Sequence, residues 1–200
     1  MIYQRQNGNV LVVTLVLLLV FTMLGLASIG DVSLNERIAT NYRDKNVSFQ
    51  AAEAALKEGE EKAFELAAIH QWENFQSSCT GDDCFTSTCN KGLCFNGSFD
   101  SSGDCITQSL SIELWEDPST WTATDVAAVS TQSFSLLSEP PKYIIEFMCF
   151  IPADPDNNPN PTTSYPGVDW SYMYRITAYS VGEAGSSKVA VQSTFKVDPQ

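Results

Sequence analysis

The sequence predicts an α+β protein in which one long N-terminal helix packs on a C-terminal antiparallel β-sheet. Residues 1–75 contain no proline, and the apolar residues of 31–75 recur at intervals of three, four or seven, the spacing typical of helices. The last 60 residues instead hold runs rich in β-branched and aromatic residues, separated by segments that contain glycine or proline. A helix followed by hairpins indicates an α+β domain whose sheet covers the helix.

The first element contains an uncharged run of twenty residues, Val10–Ile29. As an α-helix, this run spans roughly 30 Å, about the thickness of the hydrocarbon core of a bilayer. Three interpretations are open: a cleaved secretory signal, an uncleaved signal anchor, or a membrane helix that stays in the mature chain after a short leader is removed.

The residues that flank the run favour the third interpretation. A secretory signal has an apolar core of about 7–15 residues, whereas this run is longer, and Ala27 and Ser28 are followed by more helix-forming sequence. A cut between Gly8 and Asn9 would keep the run in the mature protein. Glycine suits such a cut because a residue without Cβ lets an enzyme approach the backbone closely, although a glycine before an apolar run is common.

Residues 31–75 continue the helical pattern. We expect the first half of the long helix to protrude from the globular domain and the second half to lay an apolar stripe on it. Gly25, Gly30 and Gly59 are the weak points, because each costs about 1 kcal/mol relative to alanine in a helix interior. The apolar positions at helical spacing are Leu34, Ile38, Tyr42, Phe49, Ala52, Leu56, Ala63, Leu66 and Ile69, of which those in the second half form the predicted stripe.

Strands are predicted in the second half of the chain. Lys142–Ile151 has two largely apolar faces, which is typical of a buried strand. Tyr172–Val181 and Val189–Val197 form a predicted hairpin, because Gly182 and Gly185 supply the conformational freedom of the turn. Two weaker strands are predicted at Ser109–Trp115 and Ser133–Leu137.

Composition indicates one exported acidic domain. The 200 residues include 11 Lys and Arg against 24 Asp and Glu, for a formal net charge of −13. A chain of this length behind the apolar run suffices for one domain with a core. Because an acidic surface repels phosphates, direct nucleic-acid binding is not expected.

Six cysteines follow the apolar run: Cys79, Cys84, Cys89, Cys94, Cys105 and Cys149. An even number in an exported domain indicates disulfides. A metal site would need thiolates in a reducing compartment, often in CxxC pairs, and the spacing of five does not fit. Six cysteines allow fifteen pairings, among which the sequence does not choose. We expect the segment 79–105 to be a loop held by bridges rather than by a core, with Cys149 joining one of its cysteines to the sheet.

Residues that would indicate catalysis are scarce. The single histidine, His70, lies near the predicted end of the long helix, where it fits a surface residue or a partner of the helix dipole. Residues 154–160 place oxygen ligands at alternate positions as a calcium loop does, but Pro159 and Tyr165 replace the required Gly and Glu. We therefore expect a surface loop, no metal or other cofactor, and no enzyme activity.

The N-terminal stretch RQNGNVLVVTLVLLLVFTMLGLASIGDVSLNERIATNYRDKNVSFQAAEAALKEGE closely resembles PilX-type minor pilins of bacterial type IV pili. YRITAYSVGEAGSSKVAVQSTFKV and PPKYIIE, at Pro140–Glu146, look like the same family. Residues 76–139 and 152–166 are not covered. The resemblance implies the type IV pilin-like fold, in which the first half of the helix spans the membrane.

The resemblance also implies processing by a prepilin peptidase after Gly8 and N-methylation of Asn9, where the family more often has an apolar or small residue. Most pilins carry Glu as the fifth mature residue, whereas this chain has Val13. That Glu is thought to meet the positive amino terminus of a neighbouring subunit during assembly. A subunit that is never docked beneath another has no such terminus to neutralise, so Val13 suits a filament tip. The simpler explanation is that valine improves packing in the membrane.

These expectations define four parts: a leader at 1–8, a membrane and assembly helix at 9–30, its extension at 31–75, and a periplasmic sheet domain at 76–200. The expected location is the inner membrane, with a cytoplasmic N-terminus, and then the pilus surface. Expected partners are the prepilin peptidase, the inner-membrane assembly machinery, the major pilin, other minor pilins and a possible tip adhesin. Two functions remain open: priming or capping the filament, and binding through the Cys-rich loop and Tyr165–Trp170.

Overall fold

The computed structural model describes residues 9–69, 72–99, 104–156, 169–183 and 185–198, and it leaves the side chains of 27–31, 69 and 72 undescribed. The chain forms two compact units, residues 1–43 and 44–200, which are considered separately. Helix α1 runs from Asn9 to Ile69. The first unit holds the apolar part of this helix, and the second unit holds the rest of the helix together with the sheet. The α+β class predicted from the sequence is therefore confirmed.

Helix α1 ends earlier than the predicted bound at Phe75. The chain instead forms a short 3-10 helix over Trp72–Phe75. Phe75 is only 3% exposed, and its ring lies 4.0 Å from that of Phe147 and 4.8 Å from that of Phe85. The change of helix type therefore accompanies the entry of Phe75 into an aromatic core, a tertiary contact that periodicity cannot predict.

In the second unit, one face of α1 is buried against the sheet, as predicted. The buried face is made of small residues with a few leucines, and it follows the helical repeat. Phe49 lies outside this face and is 48% exposed, so its assignment to the stripe was wrong. The buried residues of the face are Ser48, Ala51, Ala52, Ala55, Leu56, Ala63, Leu66 and Ala67.

Gly59 marks the closest approach of α1 to the sheet. A Cβ added there would lie 2.8 Å from Cγ2 of Ile176 and 3.1 Å from Cδ2 of Tyr143. Carbon atoms at such distances repel one another. The glycine interpreted as a weak point of the helix is therefore the residue that lets the helix dock.

Among the described residues, the sheet has five strands, with β1-β5-β6-β7 as its order and β4 paired with β5. Its long strands are β5 (Lys142–Pro152), β6 (Trp170–Val181) and β7 (Lys188–Val197), which pair in antiparallel fashion as predicted. The short strand β4 (Ala128–Val129) is antiparallel to β5, whereas β1 (Leu93–Cys94) is parallel to it. Strands β2 (Gly97–Phe99) and β3 (Cys105–Thr107) form a separate antiparallel pair.

The two weaker strands predicted at Ser109–Trp115 and Ser133–Leu137 are wrong. The first segment turns into helix α2 (Pro118–Thr122), whose Asp117 side chain accepts a hydrogen bond from the Ser119 amide at 2.8 Å. In the second segment, Leu137 forms only an isolated bridge with Gly182. Residues 109–115 form bends and turns instead of a strand, and the Asp-Pro sequence that follows them is a typical helix start.

A charged cluster fixes the first of these segments to the sheet. The Arg175 guanidinium donates from Nε and Nη2 to the two oxygens of Glu146, at 2.9 and 2.8 Å, and from Nη2 to Glu113 at 2.6 Å. Glu146 is buried at 5% exposure. The hydrogen bond to Glu146 raises the pKa of Arg175 above its ordinary value. These charge-assisted hydrogen bonds hold the loop across the strands.

We predict that Gly59→Ala destabilises the domain, although the same change in a free helix would favour it by about 1 kcal/mol. The added methyl must displace Ile176 and Tyr143, which we expect to lower the free energy of unfolding by about 1–3 kcal/mol. Urea unfolding of the full chain in detergent, followed by tryptophan fluorescence, measures the change. In an Ile176→Ala background the same substitution should cost less, because the clashing methyl is gone. A higher unfolding midpoint for Gly59→Ala alone would contradict the close approach.

Candidate assembly site: the apolar helix and the disulfide-bonded segment

The first part of α1 exposes apolar side chains around its whole circumference. Asn9–Leu26 is long and apolar enough to cross a membrane by length and composition, and none of it is buried. The hydroxyls of Thr14 and Thr22 donate to the carbonyls of Leu11 and Leu19, at 3.0 and 2.8 Å. Because their donors are satisfied within the helix, these two threonines can enter hydrocarbon at little cost.

Val13 lies on this surface with 57% of its area exposed. Asn9 is the first residue of α1, and Gly8, the predicted cleavage residue, lies outside the described residues. From Asn9 to Leu26 the sequence has no ionisable side chain. Apart from the Asn9 amide at its start, this surface therefore offers a partner, whether lipid or protein, only apolar groups and internally bonded hydroxyls.

The six cysteines form three disulfides: Cys79–Cys84, Cys89–Cys94 and Cys105–Cys149. The expected bridge from Cys149 to the segment 79–105 is confirmed. Cys149 lies at a β-bulge of β5, where the register with β6 shifts between Phe147 and Phe150, and its φ is 75°. The bulge places both phenylalanines on the core side, because the residues they pair with, Tyr174 and Tyr172, are two apart on β6.

The Cys-rich segment 79–105 is not a loop held by bridges alone. Phe85, Leu93 and Phe95 are buried in the main core, and the Phe95 ring lies 5.2 Å from that of Phe147. The expectation that this segment lacks a core was wrong. Its phenylalanines pack against Phe147 and Tyr174 of the sheet, a contact that the cysteine spacing does not reveal.

Backbone hydrogen bonds hold the same segment in place. The amides of Lys91 and Gly92 donate to the carbonyls of Asp125 and Val126, each at 2.7 Å. The Asn90 side chain donates to the carbonyls of Gly81 and Cys84, at 2.9 and 3.3 Å. These bonds, together with the disulfides Cys79–Cys84 and Cys89–Cys94, give the segment a fixed shape. Its tip remains exposed at Gly81, Asp82, Asp83, Ser87 and Thr88.

Other residues singled out from the sequence do not form a site among the described residues. Trp170 is 5% exposed and belongs to the core, so it is not available to a ligand, and Tyr165 lies outside the described residues, as does His70. In the expected surface loop at 154–160, the Asp154 carboxylate accepts a hydrogen bond from the Asp156 amide at 3.0 Å, and residues 157–160 are not described. Within the described ranges, no group of three or more His, Cys, Asp or Glu is placed to hold a metal ion.

A groove between α1 and β7 was not predicted. Its volume is about 450 Å³, and it is lined by Lys57, Glu60, Glu61, Phe64, Glu65 and Phe195. Phe64 is 49% exposed. The sequence offers one signal for this groove. Phe64 is an aromatic residue that lies among charged residues, off the buried face of the helix.

We predict unequal effects from the disulfides. Removing Cys105–Cys149, whose cysteines are 44 residues apart, should lower the free energy of unfolding by about 4 kcal/mol, because the freed denatured chain gains loop entropy. Removing Cys79–Cys84, with a separation of 5, should cost about 2 kcal/mol. Denaturant unfolding of the two double Cys→Ala variants under oxidising conditions compares them. An equal or inverted order would show that strain or local packing dominates.

Comparison with protein families accounts for most of the chain. Residues 7–57 match the family described as PilX N-terminal, and residues 71–197 match the family described as type IV pilus assembly protein PilX C-term. The second match alone covers more than half of the chain, including residues 76–139, for which the resemblance of individual motifs gave no support. No curated protein and no solved structure matches the chain. An apolar N-terminal helix, an α+β domain with three disulfides and these two matches together show that the chain belongs to the PilX family of type IV pilus assembly proteins, the minor pilins.

Proposed function

We propose that this minor pilin acts at the tip of the type IV pilus, where it primes or caps the filament, after prepilin peptidase has removed residues 1–8. The observation that carries the proposal is Val13, the fifth residue counted from Asn9, in a helix surface without a carboxylate. The role is structural, with no catalytic step assigned to any residue.

The physical argument concerns the charge of a mature amino terminus. A subunit that packs above another brings a positive terminus into an apolar helix bundle, where an unpaired charge costs several kcal/mol. A carboxylate on the lower subunit would offset that cost. From Asn9 to Leu26 this chain offers none, so the position beneath another subunit is unfavourable and the uppermost position is not.

The location follows from the same helix. All six cysteines follow the apolar run, so a cytoplasmic N-terminus keeps every disulfide out of the reducing cytosol. The domain then lies in the periplasm, where disulfides such as Cys105–Cys149 form and persist. Partners of the assembled protein are the other minor pilins and the major pilin, and its partners before assembly are the prepilin peptidase and the inner-membrane machinery.

A second proposal, presentation of a binding loop or an adhesin at the tip, has one feature in its favour. The exposed tip of the Cys-rich segment at Gly81–Asp83 is fixed by disulfides and by the ion pair of Lys91 with Asp82 at 2.9 Å. The burial of Trp170, Phe85 and Phe95 removes the aromatic contacts that such a role would use. Assembly is therefore the better supported function.

The proposed processing predicts a mature chain that starts at Asn9. Gly8→Val should leave the leader attached, because a β-branched side chain blocks close approach to the backbone. Mass spectrometry of the amino-terminal peptide from purified membranes reads the outcome, and Gln6→Ala serves as the matched control that is still cut. A wild-type chain that retains Met1 in assembled pili would refute the processing, and a second measurement of the same peptide shows whether Asn9 is methylated.

The proposed tip position predicts how the protein scales with filament length. Sheared pili are separated by length, and the ratio of this protein to the major pilin is measured with isotope-labelled peptides. One tip per filament makes the ratio fall as length rises, whereas a shaft subunit keeps it constant. Val13→Glu should raise the ratio in long filaments, because the new carboxylate can pair with the terminus of a neighbour, and Val13→Leu should not. A constant ratio for the wild type would refute the tip position, and a deletion strain that makes normal pili but attaches poorly would favour the binding role.

A further inference from the structure

Strand β7 is the last strand of the sheet. It runs for ten residues, Lys188–Val197, and pairs with β6 on one side. Within the part of the chain that the structure describes, no strand pairs with its other side. A long strand with one unpaired edge is a template for another strand.

The hydrogen-bonding phase of β7 identifies which groups face outward. The Gly182 amide donates to the Ser187 carbonyl at 2.8 Å, and the register continues without a shift to the pair of Tyr172 with Val197. Bonded and non-bonded pairs alternate in an antiparallel ladder. The amides and carbonyls of Ala190, Gln192 and Thr194 therefore point away from β6.

Beside this edge lies the groove between α1 and β7. Val189, Val191, Ser193 and Phe195 are the half-buried residues of β7, and Ser193 donates to the Glu60 carboxylate of α1 at 2.7 Å. A strand added about 4.8 Å beyond β7 would aim every second side chain at Phe64 and Phe195, which line the groove.

We propose that the free edge of β7 takes up an extended segment of a partner protein as an additional antiparallel or parallel strand. One face of that segment carries apolar side chains, which enter the groove over Phe64, flanked by Lys or Arg. The proposal concerns a surface of the sheet domain, and it holds whether the subunit sits at the tip or within the filament.

Charge selects the partner. The groove is lined by three carboxylates, from Glu60, Glu61 and Glu65, and by one ammonium group, from Lys57. Lys57 lies 3.9 Å from Glu61, and Lys62 lies 3.6 Å from Glu65. Because these pairs are exposed and weak, the lining stays net negative and attracts basic side chains on the added strand. A second copy of this chain is a poor occupant, because two β7 edges paired together would bring two such acidic linings side by side.

A synthetic peptide tests the edge directly. The probe is Thr-Lys-Thr-Leu-Thr-Leu-Thr-Lys-Thr, labelled with a fluorophore, and the receptor is the full chain in detergent micelles. We expect saturable binding by fluorescence anisotropy, weaker binding of a probe with Glu in place of both Lys residues, and slowed amide exchange on β7 at Ala190 and Thr194.

Two pairs of variants separate edge pairing from general disruption. Thr194→Pro removes an outward amide and should weaken binding by about tenfold or more, whereas Thr194→Val keeps the amide and should stay within about twofold of the wild type. Phe64→Glu should weaken binding by about tenfold. Phe49→Glu, which changes a phenylalanine of matching exposure elsewhere on α1, should not. Circular dichroism checks that each variant is folded. If Thr194→Pro does not fold, the comparison of Phe64→Glu with Phe49→Glu decides the outcome.

Three results would overturn the proposal: no saturable binding of the probe up to about millimolar concentration, equal binding by the wild type and both weakening variants, or a dimer of the chain that Phe64→Glu and Thr194→Pro dissociate in sedimentation. The last result would assign the edge to a second copy. Because the assay needs neither membranes nor filaments, a negative result leaves the tip proposal standing, and a constant ratio in sheared pili leaves the edge proposal standing.

Discussion

The sheet domain depends on the contact between a face of small residues on α1 and the strands β5 and β6. Alanines at this face lose no side-chain rotamer freedom when they are buried, and Gly59 removes the last Cβ that would keep the backbone away from Ile176 and Tyr143. A face of leucines would bury more area per residue but would hold the helix farther from the sheet. Close approach therefore replaces side-chain volume as the source of packing here.

This choice has a consequence for the rest of the core. Small residues on the helix contribute little apolar volume, so aromatic residues from other segments must supply it. Phe75 arrives through a 3-10 turn, and Phe85 and Phe95 arrive on the Cys-rich segment. That segment has little regular structure of its own, with β1 only two residues long. Its disulfides limit the conformational freedom of the unfolded chain. This stabilisation offsets the lack of the backbone hydrogen bonds that a longer strand would have made.

The elements that the sequence predicted correctly are those specified by local pattern. Helix α1 and the hairpin of β6 and β7 each have a periodic apolar pattern, and the turn between the two strands has glycine where it is needed. The incorrect predictions concern segments whose structure depends on residues that are distant in the sequence. Ser109–Trp115 has the composition of a strand, but Glu113 bonds to Arg175, and Asp117 caps a helix beyond it. The parallel pairing of β1 with β5 joins residues about 50 positions apart, and neither segment carries a mark of the other.

The candidate surfaces also divide into one that the sequence predicts and others that depend on the fold. The apolar surface around Val13 could be predicted from the sequence, because composition alone defines a surface that is exposed on all sides. The disulfide pairing and the groove at Phe64 could not, because both depend on which segments the fold brings together. Phe64 is informative only after Ala63, Leu66 and Ala67 are known to face the sheet, since an aromatic residue on a helix is otherwise assigned to the core.

In the proposed role, the apolar part of α1 meets two environments. Its exposed side chains would be covered by lipid before assembly and by neighbouring helices in a filament, and both environments are apolar. Transfer from lipid to the filament then changes the hydrophobic free energy little. In both environments the apolar area is removed from water, which stabilises by about 25 cal/mol per Å². A carboxylate at position 13 would make the two environments unequal, since it costs about 3 kcal/mol in lipid and becomes favourable only when a positive terminus arrives. Val13 removes that difference, so this subunit gains nothing from a neighbour stacked above it, and the apolar helix can enter a nascent filament without waiting for one. That property is what a subunit needs if it is to be the first to leave the bilayer.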